Sequence, residues 1–224
     1  MRTLLFLVFA LSLFSCNENI LNSEDFHGLQ DTINYEKSAK IVDILSAKSS
    51  KDIPAKFFRV ASMYKENYVH LKQPDGKSCS WTTYVNCINC IVTANNDFCY
   101  STSISTIRKR CSNKNKYPNS ISALVWYAQT YDDDLVDSYS KSFSSRWATT
   151  KFMLNFINEN RVPFVVISSL NGVGHYRLIF SIDWKQSESK SIVYYTDCAY
   201  SDKGSFDSNI KTKRLSDFLD SMVE

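Results

Sequence analysis

Apolar residues recur at helical spacing in the segment that begins at Cys79. Threonine and asparagine residues take the opposite face, while the apolar face contains Trp81, Tyr84, Val85, Ile88, Ile91 and Val92. This spacing predicts an amphipathic helix. Pro74 and Gly76 would end any helix or strand that precedes this one. Ser78 has the hydroxyl typical of an N-cap residue. The pattern therefore predicts that Cys79 opens a helix.

Other segments divide between helical and strand patterns. Helical periodicity predicts helices over residues 37–48, 55–66 and 146–160. β-Branched and aromatic runs predict strands over residues 162–168, 175–183 and 192–196, where the first two flank a glycine-rich turn and the last two flank a polar hairpin loop. We therefore expect an α+β fold, with a helical part and an antiparallel sheet.

The position of Cys79 favours nucleophilic chemistry. The first N–H groups of a helix lack intrahelical partners and carry partial positive charge, which biases a cysteine there toward thiolate. Gln73 precedes it by six residues, so the intervening loop can bring the amide back beside the sulfur. There the amide could donate a hydrogen bond to an oxyanion. A buried structural cysteine is the alternative, because free cysteine is often buried.

His175 opens the second predicted strand, and two acids are candidates to orient it. Asp183 lies eight residues further along the same strand, on the order of 26 Å away, which excludes it as a direct partner. With the hairpin centred near Ser187, Arg177 lies opposite Asp197. His175 and Asp197 are then diagonal neighbours on one face, roughly 7 Å apart at Cα. A register slip of one residue would separate them onto opposite faces.

These motifs resemble those of a known family. The order Gln, Cys, His, Asp, with Q-P-x-G-x-S-C-x-W, then G-H-Y, then Y-Y-x-D, is similar to the papain-like cysteine peptidases, and most to the bacterial branch that removes double-glycine leaders from bacteriocins. The resemblance covers about two-thirds of the chain. It implies a papain-like fold with the cleft between the two lobes, Cys79 as nucleophile, His175 as general base and acid, Asp197 as its orienting residue and Gln73 as oxyanion donor.

The chain departs from the family pattern at two places. Many relatives have Gly or Trp directly after the nucleophile, where this chain has Ser80, and relatives often have Pro where it has Cys198. The expected function is hydrolysis of peptide bonds in a peptide or protein substrate, without cofactor or metal. The alternatives are a papain-like cell-wall amidase, a transglutaminase-like acyl transferase, and an inactive lipoprotein that only binds peptide.

The N-terminus predicts export. Arg2 precedes an almost continuously apolar run over residues 4–14, which is too short to span a membrane and is typical of a signal peptide. The sequence L-F-S-C at residues 13–16 resembles a lipoprotein processing box, which makes Cys16 the expected lipidated residue. Because Phe14 is bulky for its position, a plain secretory signal is the alternative; a buried N-terminal helix is a second one. More than one acyl chain on Cys16 would anchor the protein stably.

We therefore divide the chain into a signal peptide over residues 1–15, a lipidated N-terminus and tether over residues 16–35, and a peptidase domain over residues 36–224. The expected location is the bacterial cell envelope, at the periplasmic or outer surface. The formal net charge of +3 is nearly balanced and gives no support for nucleic-acid binding.

The seven cysteines and three histidines include several without an assigned role. With Cys16 lipidated and Cys79 free, an odd number of cysteines remains, and Cys99–Cys111 is the preferred disulfide because export permits one. A zinc site is the alternative, formed by Cys87, Cys90, Cys99 and Cys111. We expect His27 and His70 to be at the surface or partly buried. The acidic run over residues 132–134 favours a solvated loop over a metal site, because no spaced further oxygen ligands follow it.

Overall fold

The structure, a computed structural model, describes residues 6–10, 43–96, 100–114, 120–133, 135, 137–170, 173–199 and 204–222. The strands are β1 (Phe6–Ala10), β2 (Lys56–Arg59), β3 (Asp137–Lys141), β4 (Phe164–Leu170), β5 (Val173–Trp184), β6 (Ile192–Thr196) and β7 (Lys211–Arg214). The helices are α1 (Ser62–Glu66), α2 (Cys79–Asn96), α3 (Ile104–Asn113), α4 (Ile121–Tyr131), α5 (Arg146–Asn160), α6 (Phe206–Asn209) and α7 (Leu215–Asp220), with a 3-10 turn at Ser50–Asp52.

The seven strands form one sheet in the order β3-β1-β4-β5-β6-β7, and β2 pairs with β5 beside β4. Every strand pairing among the described residues is antiparallel. The long strand β5 is central: β6 lies along one edge, while β4 and then β2 share the other. The protein therefore mixes helices with an antiparallel sheet, which agrees with the expected α+β class.

The predicted strands around His175 are confirmed with small changes in their bounds. β6 covers the predicted residues, whereas β4 begins at Phe164, directly after Pro163. Proline has no backbone N–H to donate to a ladder, so a strand beginning after it is expected. β5 begins at Val173, two residues before His175, which therefore lies inside the strand and opposite Ser168 of β4.

Serine caps fix the starts of three helices. The side chains of Ser103, Ser120 and Ser145 each accept a hydrogen bond from a backbone N–H in the first turn of α3, α4 and α5. Such caps satisfy a donor that the helix itself leaves unpaired. Helix α5 has the predicted bounds, and it ends where Arg161 adopts a left-handed conformation with φ of 55°. The chain then turns directly into β4.

Helix α2 is the buried centre of the fold. It packs against β4 and β5 of the sheet and against α1, α3 and α4. Its apolar face is buried as expected, and on the polar face Thr83 and Asn86 are buried as well. The Thr83 hydroxyl donates to the carbonyl of Tyr176, and the Asn86 amide both accepts from the N–H and donates to the carbonyl of Leu71. Because these polar groups are paired, burying them does not leave their hydrogen bonds unmade.

Two predicted helices near the N-terminus are wrong in part. The described part of segment 37–48 begins at Asp43 and forms turns, and segment 55–66 divides into strand β2 and helix α1. β2 forms because Lys56 through Arg59 pair with the far end of β5, with Phe58 buried and Phe57 exposed. Long-range pairing therefore overrides the local helical spacing.

Strand β1 lies within the segment predicted to be a signal peptide. It pairs with β3 along its length and with β4 at Phe6 and Leu7. Among the described strands β3 pairs only with β1, so removal of residues 1–15 would separate β3 from the rest of the sheet. Removal of this segment stays a prediction, and Cys16 lies outside the described residues. Of the helices within the described ranges, none has both the length and the apolar character to cross a bilayer.

Candidate active site

Cys79 is the first residue of α2, at the end of a well-fixed loop. The Ser78 carbonyl accepts the N–H of Thr82 at 2.9 Å, which begins the helical hydrogen bonds one residue before the cysteine. The Ser78 hydroxyl donates to Asp75 at 2.7 Å, and Arg108 donates to both side chains. The Cys79 side chain is nearly buried, and the residue is 9% exposed. Its sulfur therefore lies at a helix N-terminus that is held in place by hydrogen bonds.

The imidazole of His175 joins Cys79 to Asp197. Its Nε2 lies 2.6 Å from Oδ1 of Asp197, and the ring is close enough to the Cys79 thiol for its charge to lower the pKa of that thiol. Because Nε2 is engaged by the carboxylate, Nδ1 is the nitrogen left for the sulfur. His175 and Asp197 are 4% and 1% exposed, so this chain of three groups is shielded from water. The expected proximity of His175 and Asp197 is confirmed; the catalytic roles stay predictions.

The pairing register between β5 and β6 brings Asp197 into contact with His175. Near the site Leu178 pairs with Thr196 and Ile179 with Tyr195, so the next step along each strand sets Arg177 against Asp197, as predicted. Toward the hairpin loop the register differs by one residue, with Ser181 opposite Tyr194. The difference arises at a β-bulge between Ile179 and Ser181.

The three groups shift one another's pKa in the directions that favour proton transfer from the Cys79 thiol to the His175 imidazole. Burial opposes the thiolate, but the hydrogen bond and charge of His175 outweigh it and lower the pKa of Cys79. Burial likewise opposes the imidazolium, yet hydrogen bonds with Asp197 and Cys79 raise the pKa of His175 to about 9. Against burial, the hydrogen bond from His175 lowers the pKa of Asp197 to about 2. The arrangement therefore favours a thiolate beside an imidazolium.

Arg177 is a member of this cluster that we did not predict to be functional. Its Nε donates to Oδ2 of Asp197 at 3.0 Å, and its Nη1 donates to the hydroxyl of Ser168. The guanidinium also lies over the rings of Tyr195 and Phe218, at 5.5 and 5.9 Å from their centroids. Each oxygen of the Asp197 carboxylate thus has a side-chain partner. The signal was present in the sequence, because the predicted register already set Arg177 opposite Asp197.

Gln73 lies at the same site, through Cys198. The Gln73 N–H donates to the carbonyl of Cys198 at 2.9 Å, and the Cys198 thiol lies 3.5 Å from Oε1 of Gln73. The same thiol lies 3.6 Å from the carbonyl oxygen of Cys79. The structure therefore brings together all four predicted catalytic residues. Cys198, which the sequence marked only as a departure from the family pattern, lies among them.

Other candidate residues lie in different surroundings. Asp183 lies at the far end of β5 and forms an ion pair with Lys185 at 3.3 Å, which agrees with its exclusion. The expected surface or partly buried position of His70 is wrong: the residue is fully buried, and its Nδ1 lies 2.7 Å from the hydroxyl of Tyr68. Burial lowers the pKa of His70 and so favours its neutral form. His27 lies outside the described residues.

The acidic run also departs from its predicted solvated loop. Asp132 is 4% exposed and accepts hydrogen bonds from the hydroxyls of Tyr84 and Tyr100 at 2.5 and 2.7 Å. These bonds join α2 to the end of α4 and compensate for burial of the carboxylate. Asp133 is exposed, as predicted for the run.

The cysteines that the structure describes outside the site occupy core positions. Cys87 and Cys90 are fully buried in α2, where the Cys90 thiol donates to the carbonyl of Tyr64 and burial raises the pKa of both. Cys111 is a free, buried thiol on α3, and Cys99 lies outside the described residues. The Cys99–Cys111 disulfide is therefore not part of the structure as described and stays a prediction. The described members of the alternative zinc set do not form a metal-binding group.

One group of potential metal ligands is present among the described residues. Ligand atoms of His175, Asp197 and Cys198 lie within 4.8 Å of one another. However, both Asp197 oxygens already accept hydrogen bonds, and the Arg177 guanidinium would repel a cation bound there. Burial also raises the pKa of Cys198 to about 12, so its sulfur is a thiol rather than a thiolate ligand. These residues fit a hydrogen-bonded acid–base site better than a metal site.

No protein-family profile, curated protein or solved structure matches this chain.

Proposed function

We propose that this protein is a cysteine peptidase with a papain-like fold, which hydrolyses peptide bonds through Cys79, His175, Asp197 and Gln73. The observation that carries the proposal is the buried His175–Asp197 hydrogen bond of 2.6 Å beside Cys79, whose pKa His175 lowers. A buried histidine held by a carboxylate and a thiol at a helix N-terminus has a specific use in acyl transfer, whereas packing alone needs none of these groups.

In the proposed reaction, the Cys79 thiolate attacks the carbonyl carbon of the substrate and a C–S bond forms. The carbonyl oxygen becomes an oxyanion, which accepts hydrogen bonds from the Gln73 amide and the backbone N–H of Cys79. The His175 imidazolium then gives its Nδ1 proton to the nitrogen of the breaking C–N bond, and the amine leaves. A thioester to Cys79 remains.

Hydrolysis completes the cycle with the same groups. Neutral His175 takes a proton from water while the hydroxyl attacks the thioester, and the second tetrahedral intermediate releases the acid and the Cys79 thiolate. Asp197 holds the ring so that Nδ1 faces the sulfur throughout, and it stabilises the imidazolium without taking up the proton. Thiolate and imidazolium are thereby restored.

The proposed setting is the bacterial cell envelope, with the domain anchored through lipid on Cys16. The support is the N-terminal pattern of one basic residue, a short apolar run and a cysteine after a small residue. A peptide or protein substrate at that surface fits the near-balanced charge of the chain, which favours no polyanionic partner.

The test separates a peptidase from the alternative enzymes and from a binding module. Purified protein is incubated with casein, a fluorogenic peptide mixture, purified muropeptides, and a glutamine peptide with an amine acceptor. We expect hydrolysis of peptides, absent in Cys79→Ala and in His175→Ala, with the double variant no slower than either single variant, because the two residues act as a unit.

Each alternative has its own outcome in this test. Cleavage of muropeptides alone would indicate a cell-wall amidase, and incorporation of the amine would indicate an acyl transferase. Tight binding of peptides without turnover, and without selective alkylation of Cys79, would indicate a binding module. Retained peptide hydrolysis in Cys79→Ala would contradict the proposed nucleophile.

A further inference from the structure

Cys198 makes two contacts with Gln73 and directly follows Asp197 in the chain. The Cys198 carbonyl accepts the Gln73 N–H at 2.9 Å, and its thiol lies 3.5 Å from Oε1 of the same glutamine. The main chain and the side chain of one residue therefore both contact the glutamine. Because Cys198 is 2% exposed, water does not compete freely for these bonds.

The thiol of Cys198 is suited to donate. Burial raises the pKa of Cys198 to about 12, so the sulfur keeps its proton at neutral pH. Its neighbours supply three acceptors: Oε1 of Gln73 at 3.5 Å, the Thr83 hydroxyl at 3.5 Å and the Cys79 carbonyl at 3.6 Å. The Cys79 carbonyl belongs to a helix whose own N–H groups bond such oxygens, and the Thr83 hydroxyl already bonds the carbonyl of Tyr176. The Gln73 oxygen is therefore the acceptor that depends on the thiol.

The direction of this bond determines what the glutamine can do. A primary amide has an acceptor at its oxygen and two donors at its nitrogen, on opposite branches of one plane. With Oε1 facing Cys198, the nitrogen points away from Cys198 and its N–H groups are the ones left for another acceptor. In the reverse orientation Oε1 of Gln73 would face the oxyanion, and its lone pairs would repel the negative charge.

We propose that Cys198 is a positioning residue, whose S–H group holds the Gln73 side chain with its amide nitrogen available to the oxyanion. This inference rests on the proposed function, since it assigns the orientation of the oxyanion donor in that reaction. Thiol donors are weak, so the expected contribution is smaller than that of the glutamine itself.

The experiment uses p-nitrophenyl acetate as acyl donor and iodoacetamide as a matched probe, both with the full chain. Attack on the ester carbonyl forms an oxyanion, whereas alkylation by iodoacetamide displaces iodide and forms none. An effect through Gln73 must therefore appear with the ester and not with the alkylating agent. Background thiol reactions are subtracted with Cys79→Ala.

We expect Cys198→Ala to lower kcat for the ester about 5- to 10-fold with little change in KM, as for the loss of one hydrogen bond, and to leave the alkylation rate of Cys79 unchanged. Cys198→Ser keeps a donor and should retain kcat within about 2-fold. Gln73→Ala should lose about 10²- to 10³-fold, as for other oxyanion donors. In that background Cys198→Ala should add nothing, because the group it orients is gone.

Several results would overturn the inference. Equal slowing of ester cleavage and alkylation in Cys198→Ala would mean that the residue supports the site generally. A loss that persists in the Gln73→Ala background, or a Cys198→Ser variant as slow as Cys198→Ala, would contradict the hydrogen bond. Cys198→Val fills the thiol's volume without a donor, so it serves if the alanine variant does not fold, and an unchanged kcat in it would also overturn the inference.

Failure of the proposed function would give different results in the same assay. If the unaltered protein released no more p-nitrophenolate than Cys79→Ala, the proposed function would fail and this inference with it. If the unaltered protein cleaved the ester and Cys198→Ala and Cys198→Val cleaved it equally fast, only the role of Cys198 would fail.

Discussion

Asp197 lies on the same face of the sheet as His175 because β5 contains one extra residue between the hairpin loop and the site. Toward the loop, Ser181 pairs with Tyr194, and that register continued inward would set Asp197 opposite Leu178. Side chains alternate between faces, so Asp197 would then lie on the face away from His175. The bulge between Ile179 and Ser181 shifts the register by one residue. The observed contact of 2.6 Å depends on that shift.

The extra residue is Phe180, and packing stabilises it. Its ring is fully buried and lies 5.2 Å from the ring of Tyr68 and 4.7 Å from that of Phe206. Its carbonyl accepts the N–H of Val60 at 3.0 Å. A bulge leaves one residue of the strand outside the regular ladder. Here contacts with distant parts of the chain compensate for that local irregularity.

We predict a bell-shaped dependence of kcat/KM on pH. Activity requires the Cys79 thiolate and the His175 imidazolium together. The acid limb should lie below the ordinary thiol range, because His175 lowers the pKa of Cys79. The alkaline limb should lie near pH 9, where His175 loses its proton. Rates with a fluorogenic peptide across pH 4–11 measure both limbs, and an alkaline limb near pH 6.5 would contradict the coupling to Asp197.

Asp197→Ala should lower the rate by a factor on the order of 10² to 10⁴ without eliminating it, as when the orienting acid of other triads is changed. It should also move the alkaline limb to lower pH and raise the pH at which Cys79 becomes alkylatable, because loss of the carboxylate lowers the pKa of His175. Iodoacetamide labelling of Cys79 across pH measures the second effect.

Asp183→Ala is the matched control for this variant. Asp183 lies on the same strand as His175 but contacts Lys185, so neither the rate nor the labelling profile should change. A shifted profile in Asp183→Ala, with none in Asp197→Ala, would contradict the assigned triad. Asp197→Asn adds a control for folding, because it retains an acceptor while removing the charge.

Arg177→Met should lower the free energy of unfolding by about 3–5 kcal/mol, because it leaves the buried Asp197 carboxylate without one of its charged partners. Lys185→Met removes a partly exposed ion pair with Asp183 and should change the free energy of unfolding by less than about 1 kcal/mol. Urea unfolding at pH 7 measures both. Equal effects of the two substitutions would show that the Arg177–Asp197 pair does not stabilise the fold as its burial implies.

Cys16→Ser should abolish lipidation and leave the protein unprocessed or released, because serine cannot form the thioether. Metabolic labelling with a fatty-acid analogue, followed by membrane fractionation, measures both effects in the natural host. Incorporation of label into the serine variant would contradict the processing box. Cys111→Ser is the control, since its thiol is buried in the domain and should not affect anchoring.

Local sequence was sufficient for those parts of the fold whose stabilising contacts lie nearby in the chain. α5 begins at the cap Ser145 and ends at Arg161, and both signals lie within the helix or next to it. β6 and the start of α2 at Cys79 were predicted for similar reasons. The residue types at the candidate site were also evident, because a thiol, an imidazole and a carboxylate carry their chemistry wherever they lie.

The rest was decided by tertiary structure, because it depends on partners that are distant in sequence. β2 is a strand because Phe58 and its neighbours pair with β5, although the segment has helical spacing. His70 is buried because it packs beside Tyr68, and Cys198 lies beside Gln73 because the chain after β6 crosses the loop before α2. The bulge at Phe180 is the decisive case: a single residue outside the ladder determines the face on which Asp197 lies, and the packing that holds it comes from Tyr68 and Phe206. Sequence therefore determined which reactive groups this protein has, and long-range packing determined that they meet.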